Sequence, residues 1–311
     1  MKILVTGGAG FIGSHLVRAL VRADDSEVTV LDDLSRGCEK NLVDCIHGAS
    51  FIRGSICDPD VVRKAMRGAD LVFHLAAQSN VMGAAVDLDE SFASNVIGTF
   101  NVFSCAEKSG VRRVVFTSSR EVYGETAAIP VSEEAPTQPK NAYGASKLAG
   151  EVYASVFRSR GLDISVLRLS NVYGLGDRDR VIPLFLQAAA TDRPLILYGG
   201  QQVIDFIWID EVVRILISCA NLTLTGDAIN VGSGCGVTVR ELANRILTLT
   251  QSRSTLEIMP ARSIEVTRFV ANVYRARALL NLTIPADPLF GLHQMISKTG
   301  DMKDHCRARG I

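Results

Sequence analysis

The sequence predicts an α/β protein: a Rossmann-type doubly wound parallel sheet with a smaller mixed α/β C-terminal substrate lobe. Three observations predict it. Short apolar runs alternate with helix-period segments over the first two thirds. A glycine-rich stretch joins the first run to the first helix. The last third is broken by Pro183, Pro194, Pro260, Pro285 and Pro288 into shorter, mixed pieces. A length of 311 residues allows one or two domains. With 47% apolar and 21% charged residues, there is ample surface to bury.

The elements follow in order. Residues 2–6 form an apolar run that ends in glycines, and 15–22 carries apolar residues at helical spacing. A second run at 28–31 ends at Asp32; 71–75, 114–117 and 164–169 repeat the pattern. Helical stretches lie between them, near 60–66, 92–108 and 142–158. Short apolar runs separated by helices imply βαβ units, a sheet covered on both faces and right-handed crossovers. Residues 206–209, the helical 210–220 and 228–231 read as one more unit of that sheet. The expected division is 1–170, with 205–233 returning to it, and a second lobe from 171–204 and 234–311. A ligand is then expected between the lobes, at the C-terminal ends of the strands.

Composition excludes several partners. Lys+Arg and Asp+Glu are both 33, so no basic field grips a nucleic acid. No apolar run reaches the roughly 18–20 residues that span a bilayer; 206–220 is interrupted by Asp210, Glu211 and Arg214. The opening MKILVTGG has no charged leader or apolar h-region, so a cytoplasmic location is expected. Seven cysteines, at 38, 45, 57, 105, 219, 235 and 306, form no C-x-x-C pair and are odd in number. The histidines at 15, 47, 74, 293 and 305 show no ligand spacing. Reduced thiols and no metal are the reading.

Gly7, Gly10 and Gly13 give G-x-x-G-x-x-G between a strand and a helix. The first two allow a tight turn and close approach of backbone to a pyrophosphate, which the free N–H groups of a helix start attract; Gly13 allows helix–strand packing. Asp32 ends the next strand 19 residues after Gly13, where a carboxylate accepts hydrogen bonds from an adenosine ribose and repels a 2′-phosphate. NAD is therefore expected over NADP, although Arg36 lies close by.

Tyr143 and Lys147 stand four apart on one helical face, after Thr117-Ser118-Ser119 at the end of a strand. A phenol ionises near 10 and is a poor base at neutral pH. The lysine ammonium is expected to favour the phenolate. Tyr143 can then take a proton from a substrate hydroxyl that Ser119 also bonds.

These residues carry a resemblance. The stretches TGGAGFIG at 6–13, LDDLS at 31–35, HLAA at 74–77, NVIGTFN at 95–101, TSSREVYG at 117–124, YGASK at 143–147, RLSNVYG at 168–174 and NVGSG at 230–234 resemble the extended short-chain dehydrogenase/reductase family, in its nucleotide-sugar epimerase/dehydratase branch. The resemblance implies NAD held by Gly7, Gly10, Phe11, Ile12, Gly13, Asp32, Ser55, Ile56, Leu75, Ala76, Ala77, Thr117, Tyr143 and Lys147. It implies a catalytic set of Tyr143, Lys147, Ser119 and Glu121. The substrate, a nucleotide sugar with UDP favoured, would meet Ser119, Arg120, Tyr143, Asn171, Val181 with Ile182, and Arg262. Asn95 would brace the catalytic loop. A homodimer through a four-helix interface is implied as well. Two departures stand out: Gly54-Ser55-Ile56 lacks the acid that members often place near adenine, and Ile204 stands where many carry an arginine anchor.

The reaction turns on Arg120 and Glu121. Members of the branch oxidise C4–OH first. Dehydratases of the 4,6 type resemble Asp-Glu at these two positions, and arginine cannot replace that acid because it keeps its proton. C4 epimerisation of a UDP-hexose or UDP-hexuronic acid is the leading expectation. A dehydratase (4,6- or 5,6-) using Glu121 as base is the alternative, followed by a glucuronate decarboxylase. Arg120 could bind a hexuronate carboxylate or form a surface ion pair with Glu121. The run Asp177-Arg178-Asp179-Arg180 reads as a solvated charged loop at the mouth of the sugar site. A non-catalytic NAD-binding scaffold is a further class, but it would need no Ser119, Tyr143 and Lys147 together.

Overall fold

The computed structural model describes residues 1–79, 81–222, 228–280 and 283–298. The expectations for Cys306, His305 and the last stretch of the C-terminal lobe lie outside the described residues. The chain begins with β1 (Lys2–Thr6), α1 (Phe11–Ala23), β2 (Glu27–Asp32), β3 (Ala49–Arg53), α2 (Pro59–Ala65) and β4 (Leu71–His74). Helices α3 (Val81–Val86), α4 (Leu88–Phe92) and α5 (Thr99–Lys108) follow, the last two joined by a wider π-wound turn, Ala93–Gly98. Then come β5 (Arg113–Ser119), α6 (Ala142–Ser159) and β6 (Asp163–Leu169).

Seven parallel strands form the main sheet in the order β3-β2-β1-β4-β5-β6 and then β10 (Ile229–Val231). The strand order reverses between β1 and β4, so their C-terminal ends frame the crevice where doubly wound sheets bind ligands. Alternate residues of each strand serve opposite faces. Ile3, Val5, Phe73 and Val115 pack with α1 in one core, whereas Leu4, Val72, Val114 and Phe116 pack with α2 and α5 in another. Both sets are apolar because helices cover both faces.

Outside the main sheet lie β7 (Asn171–Tyr173), α7 (Val181–Ala190), β8 (Leu195–Tyr198), β9 (Val203–Trp208), β11 (Gly236–Thr238), α9 (Val239–Thr250) and β12 (Leu256–Met259); α8 (Ile209–Asn221) and α10 (Tyr274–Leu280) are further helices, and 292–298 is helical as well. One expectation is corrected here. The run at 206–209 does not join the main sheet: β9 pairs parallel with β7 and antiparallel with β11. The main sheet takes only β10, beside β6. β10 is held there also by Asn230, whose side-chain amide donates to Val131 O at 2.9 Å and accepts from the Tyr123 hydroxyl at 2.8 Å. Periodicity marks β9 as a strand but carries no information about which sheet receives it.

Candidate active site

A cleft of about 1080 Å³ opens at the C-terminal ends of the main strands and runs into the second lobe. A single drug-sized ligand fills roughly 300–1,000 Å³, so there is room for an extended ligand or two. It is lined by Gly7, Gly10, Phe11, Ile12, Gly13, Asp32, Ile56, Leu75, Ala76, Ala77, Thr117, Ser119, Arg120, Glu121, Tyr143, Lys147, Asn171, Val181, Ile182 and Arg262. Of the residues the sequence singles out, Ser55 is not among the lining. Its hydroxyl instead accepts from the Cys57 N–H at 3.1 Å, in the turn that leads to α2.

The glycine loop fits a dinucleotide. Gly7 has a φ of 71°, and a Cβ there would lie 2.6 Å from Ala76 N. A Cβ on Gly13 would lie 2.1 Å from Gly7 O, so any side chain would push the helix start away from the turn. What remains is bare backbone ahead of α1, open to an anion. Asp32 sits beside it with its carboxylate fixed: Oδ2 accepts from Ala9 N and Oδ1 from Leu34 N, each at 2.9 Å. Burial raises its pKa above the ordinary carboxylate value, against those two bonds. Gly7, Gly10, Gly13 and Asp32 are thus the groups that would hold pyrophosphate and ribose, with Arg36 also on the wall.

The reactive groups come from β5 and α6. Asn141 caps α6, accepting from Gly144 N at 2.8 Å, and so sets Tyr143 and Lys147 on successive turns facing Ser119. Tyr143 is half-buried and lines the cleft together with Ser119. Ser119 Oγ accepts from Glu121 N at 3.2 Å, which holds the hydroxyl in place. Burial pushes the phenol up to about 12. Lys147 Nζ donates to Thr117 O at 2.9 Å, and burial pulls the ammonium down to about 7. Fully buried His74 lies behind it, bonded to Thr6 and Thr99 at 2.8 and 3.0 Å; burial first, and then the Lys147 charge, brings it down to about 3, so its imidazole is neutral. Asn95 braces this wall, with its amide joined to Gln78 and to Ser146 Oγ.

Arg120 and Glu121 do form an ion pair, at 2.8 Å, but it is not a surface pair: their side chains are 12% and 6% exposed. Arg120 Nε donates to Asn171 Oδ1 at 2.8 Å. The second Glu121 oxygen accepts from Asn141 Nδ2 at 2.7 Å. Glu121 thus has each oxygen turned to a donor, and Asn171 is tied to the same guanidinium. The Asn141 link escapes sequence reading. The residue is legible as a helix cap, but its partner lies 20 residues upstream on another element.

The charged run 177–180 also differs from expectation. Asp177 is buried, with its side chain 2% exposed, because the turn after β7 folds it into the cleft wall. Its carboxyl is pushed up to about 6 by burial. At the far end of the cleft, Arg262 lies 3.6 Å from the Tyr198 ring centroid and pairs with Glu265 at 3.1 Å. Ile204 lines the wall. No cluster of three or more His, Cys, Asp or Glu that could hold a metal ion occurs among the described residues. Among these residues no helix is long and apolar enough to cross a membrane.

Comparison with known proteins bears on this geometry. The model of the NAD dependent epimerase/dehydratase family matches residues 3–232. A UDP-glucose 4-epimerase of Mycolicibacterium smegmatis is 35% identical over 313 residues, 96% of this chain and 97% of that protein. A dTDP-glucose 4,6-dehydratase of an Actinoplanes species is 33% identical over 259 residues, 79% of this chain and 81% of that one. Among solved structures, MoeE5 in complex with UDP-glucose and NAD has a TM-score of 0.88 at 33% identity, covering 97% of this chain and 99% of the other.

Proposed function

The chain belongs to the NAD-dependent epimerase/dehydratase family, and we propose that it inverts C4 of a UDP-hexose or UDP-hexuronic acid through a transient 4-keto sugar. In this reading Tyr143 takes the proton of the C4 hydroxyl, and Ser119 orients that hydroxyl. When bound, NAD supplies a reversible acceptor for the C4 hydride. Lys147, anchored on Thr117 O, fixes the cofactor side of the site. Return of hydride and proton to the opposite face restores an alcohol of inverted configuration, so the reaction is redox-neutral. Asn171 and Arg262 would bind the diphosphate, and Val181–Ile182 would lie by the base.

The observation that carries epimerisation over elimination is the state of Arg120 and Glu121. An eliminating enzyme needs an acid for the leaving hydroxyl, and Arg120 does not release its proton. It also needs a free base for the C5 proton. Here each Glu121 oxygen already accepts from a fixed donor, Arg120 or Asn141, leaving one lone pair apiece. The high coverage of the mycobacterial 4-epimerase supports the same reading. A dehydratase stays as the second reading, because Glu121 lines the cleft beside Ser119 and a 4,6-dehydratase is a relative. The test is incubation with a panel of UDP-sugars, with NMR and mass spectrometry of the products. An epimer of unchanged mass, with no net NADH, is expected; loss of water or carbon dioxide would sink the proposal. Glu121→Gln should spare the epimerase and would cripple a dehydratase.

The reading includes a homodimer. Leu88, Phe92 and Phe100 on α4–α5 and Val152, Tyr153 and Val156 on α6 are exposed, and Phe100 meets Tyr153 at 5.3 Å between ring centroids. Adjoining helices with one apolar outer face suit a second copy. Light scattering on the purified chain should give twice the chain mass, and a monomer would count against it.

A further inference from the structure

The side chain of Asn141 is committed on three sides. Its Oδ1 accepts from Gly144 N at 2.8 Å, and its Nδ2 donates to Glu121 Oε2 at 2.7 Å and to Ile264 O at 3.3 Å. A carboxylate and a carbonyl only accept, and a peptide N–H only donates, so the amide fits one way round. Capping α6 does not by itself need this residue, because serine or aspartate caps a helix as well as asparagine does. What asparagine adds is the donor that faces Glu121.

Glu121 is gripped at its backbone as well as at its carboxylate. The first turn of α6 lies against it so closely that a Cβ on Gly144 would stand 2.4 Å from Glu121 O. The other carboxylate oxygen faces Arg120, which is itself tied to Asn171 and lies 5.8 Å from the Phe269 ring centroid. The amide of Asn141 is anchored in turn from the second lobe. It bonds the segment that carries Arg262 and Glu265, and the neighbouring Lys140 Nζ donates to Glu265 O at 2.8 Å. The Glu121 carboxylate therefore leaves its place only by abandoning a donor, which is costly for a buried charge. A base, by contrast, must come within hydrogen-bond reach of the proton it removes. Of the two donors, Arg120 balances the charge of Glu121, whereas Asn141 contributes geometry alone.

We propose that Asn141 sets the outcome of the reaction: by holding the Glu121 carboxylate in place it keeps the C5 proton on the 4-keto sugar, so that the intermediate is reduced and not drawn toward elimination. It is a positioning residue acting through Glu121, and the inference rests on the 4-keto intermediate of the reading above. A released carboxylate would take the C5 proton and leave the C5–H electron pair as an enolate on the C4 oxygen. In D2O the carboxyl group exchanges its proton with solvent and returns a deuteron to C5, which restores the ketone with one deuterium and no change of oxidation state. Arg120 supplies no acid for the C6 hydroxyl, so exchange at C5 is the expected sign of release.

The test is turnover in D2O, with NMR and mass spectrometry of C5, using the UDP-sugar that the wild type epimerises. Asn141→Ser and Asn141→Asp both keep a helix cap, so their urea midpoints should stay close to that of the wild type. Each should place about tenfold more deuterium at C5 per turnover than the wild type does, the effect of losing one hydrogen bond to a charged group. The double variant Asn141→Ser with Glu121→Gln should return to the wild-type level. Absence of added deuterium from both single variants, whether or not they still epimerise, would overturn the inference and leave the reaction reading standing. Deuterium that persists in the double variant would overturn it too, because another base would be at work. Loss of water by the wild type, or no turnover of any sugar, would sink both.

Discussion

Replacing Lys147 by Met removes an ammonium that the fold carries at a cost. The side chain is 3% exposed, and burial lowers its pKa from 10.5 to about 7, with Glu151 partly opposing the shift. The unfolded chain therefore binds a proton that the folded chain lacks between about pH 7 and 10.5. Stability should rise with pH across that window, and the full penalty should be present below about 7. A shift of about 3.5 units, at about 1.4 kcal/mol each, corresponds to a penalty on the order of 5 kcal/mol. The Met variant escapes it but strands the Thr117 carbonyl, which costs about 1–3 kcal/mol. The net expectation at about pH 6.5 is a variant more stable than wild type by roughly 2–4 kcal/mol and nearly inactive, a trade of stability for function. Urea unfolding of both proteins at several pH values measures this directly. All other titrating groups are shared, so the difference between the two curves reports Lys147. That difference should fall steadily from about pH 7 to 10 and reverse sign near the top of the range, where the ammonium penalty has gone and the stranded carbonyl remains. Parallel curves would refute the reasoning, because they would mean the ammonium is as comfortable folded as unfolded.

Tyr143→Phe should keep the fold and NAD binding but lower turnover by about 10²–10⁴-fold, the usual worth of a positioned acid–base group, as steady-state kinetics would read. Gly13→Ala should weaken NAD binding at least tenfold by calorimetry, since the new methyl would stand 2.1 Å from Gly7 O. Glu151→Ala should cost about 3–5 kcal/mol in urea unfolding, because it leaves Arg168 buried and unpaired. That pair is joined at 2.7 Å with both side chains 9% exposed, and the double variant Glu151→Leu with Arg168→Met should recover much of the loss.

The parts of the site that were legible in the sequence are those encoded by neighbours along the chain. The turn at Gly7–Gly13 needs bare backbone where β1 meets α1, and only glycine supplies it. Asp32 ends a strand, and Tyr143 and Lys147 share a helix face by the period of the helix alone. The alternation of Ile3, Leu4 and Val5 between two cores likewise follows from the pleat. Ser55 lies outside the cleft lining, with its hydroxyl accepting from Cys57 N in its own turn, a placement that spacing does not reveal.

Tertiary structure decided where each charge sits and what faces it. Asp177 reads as solvated in a run of four charged residues, and only the folding of the turn after β7 buries it. Glu121 reads as a free base until Asn141, brought over by α6, and Arg120 take its two oxygens. β9 reads as a strand of the main sheet until its backbone pairs with β7 and β11 instead. The physical reason is common to all three. Backbone conformation and periodicity are set by adjacent residues, whereas burial, ion pairing and strand pairing are set by segments far apart in sequence that meet only when the chain is folded.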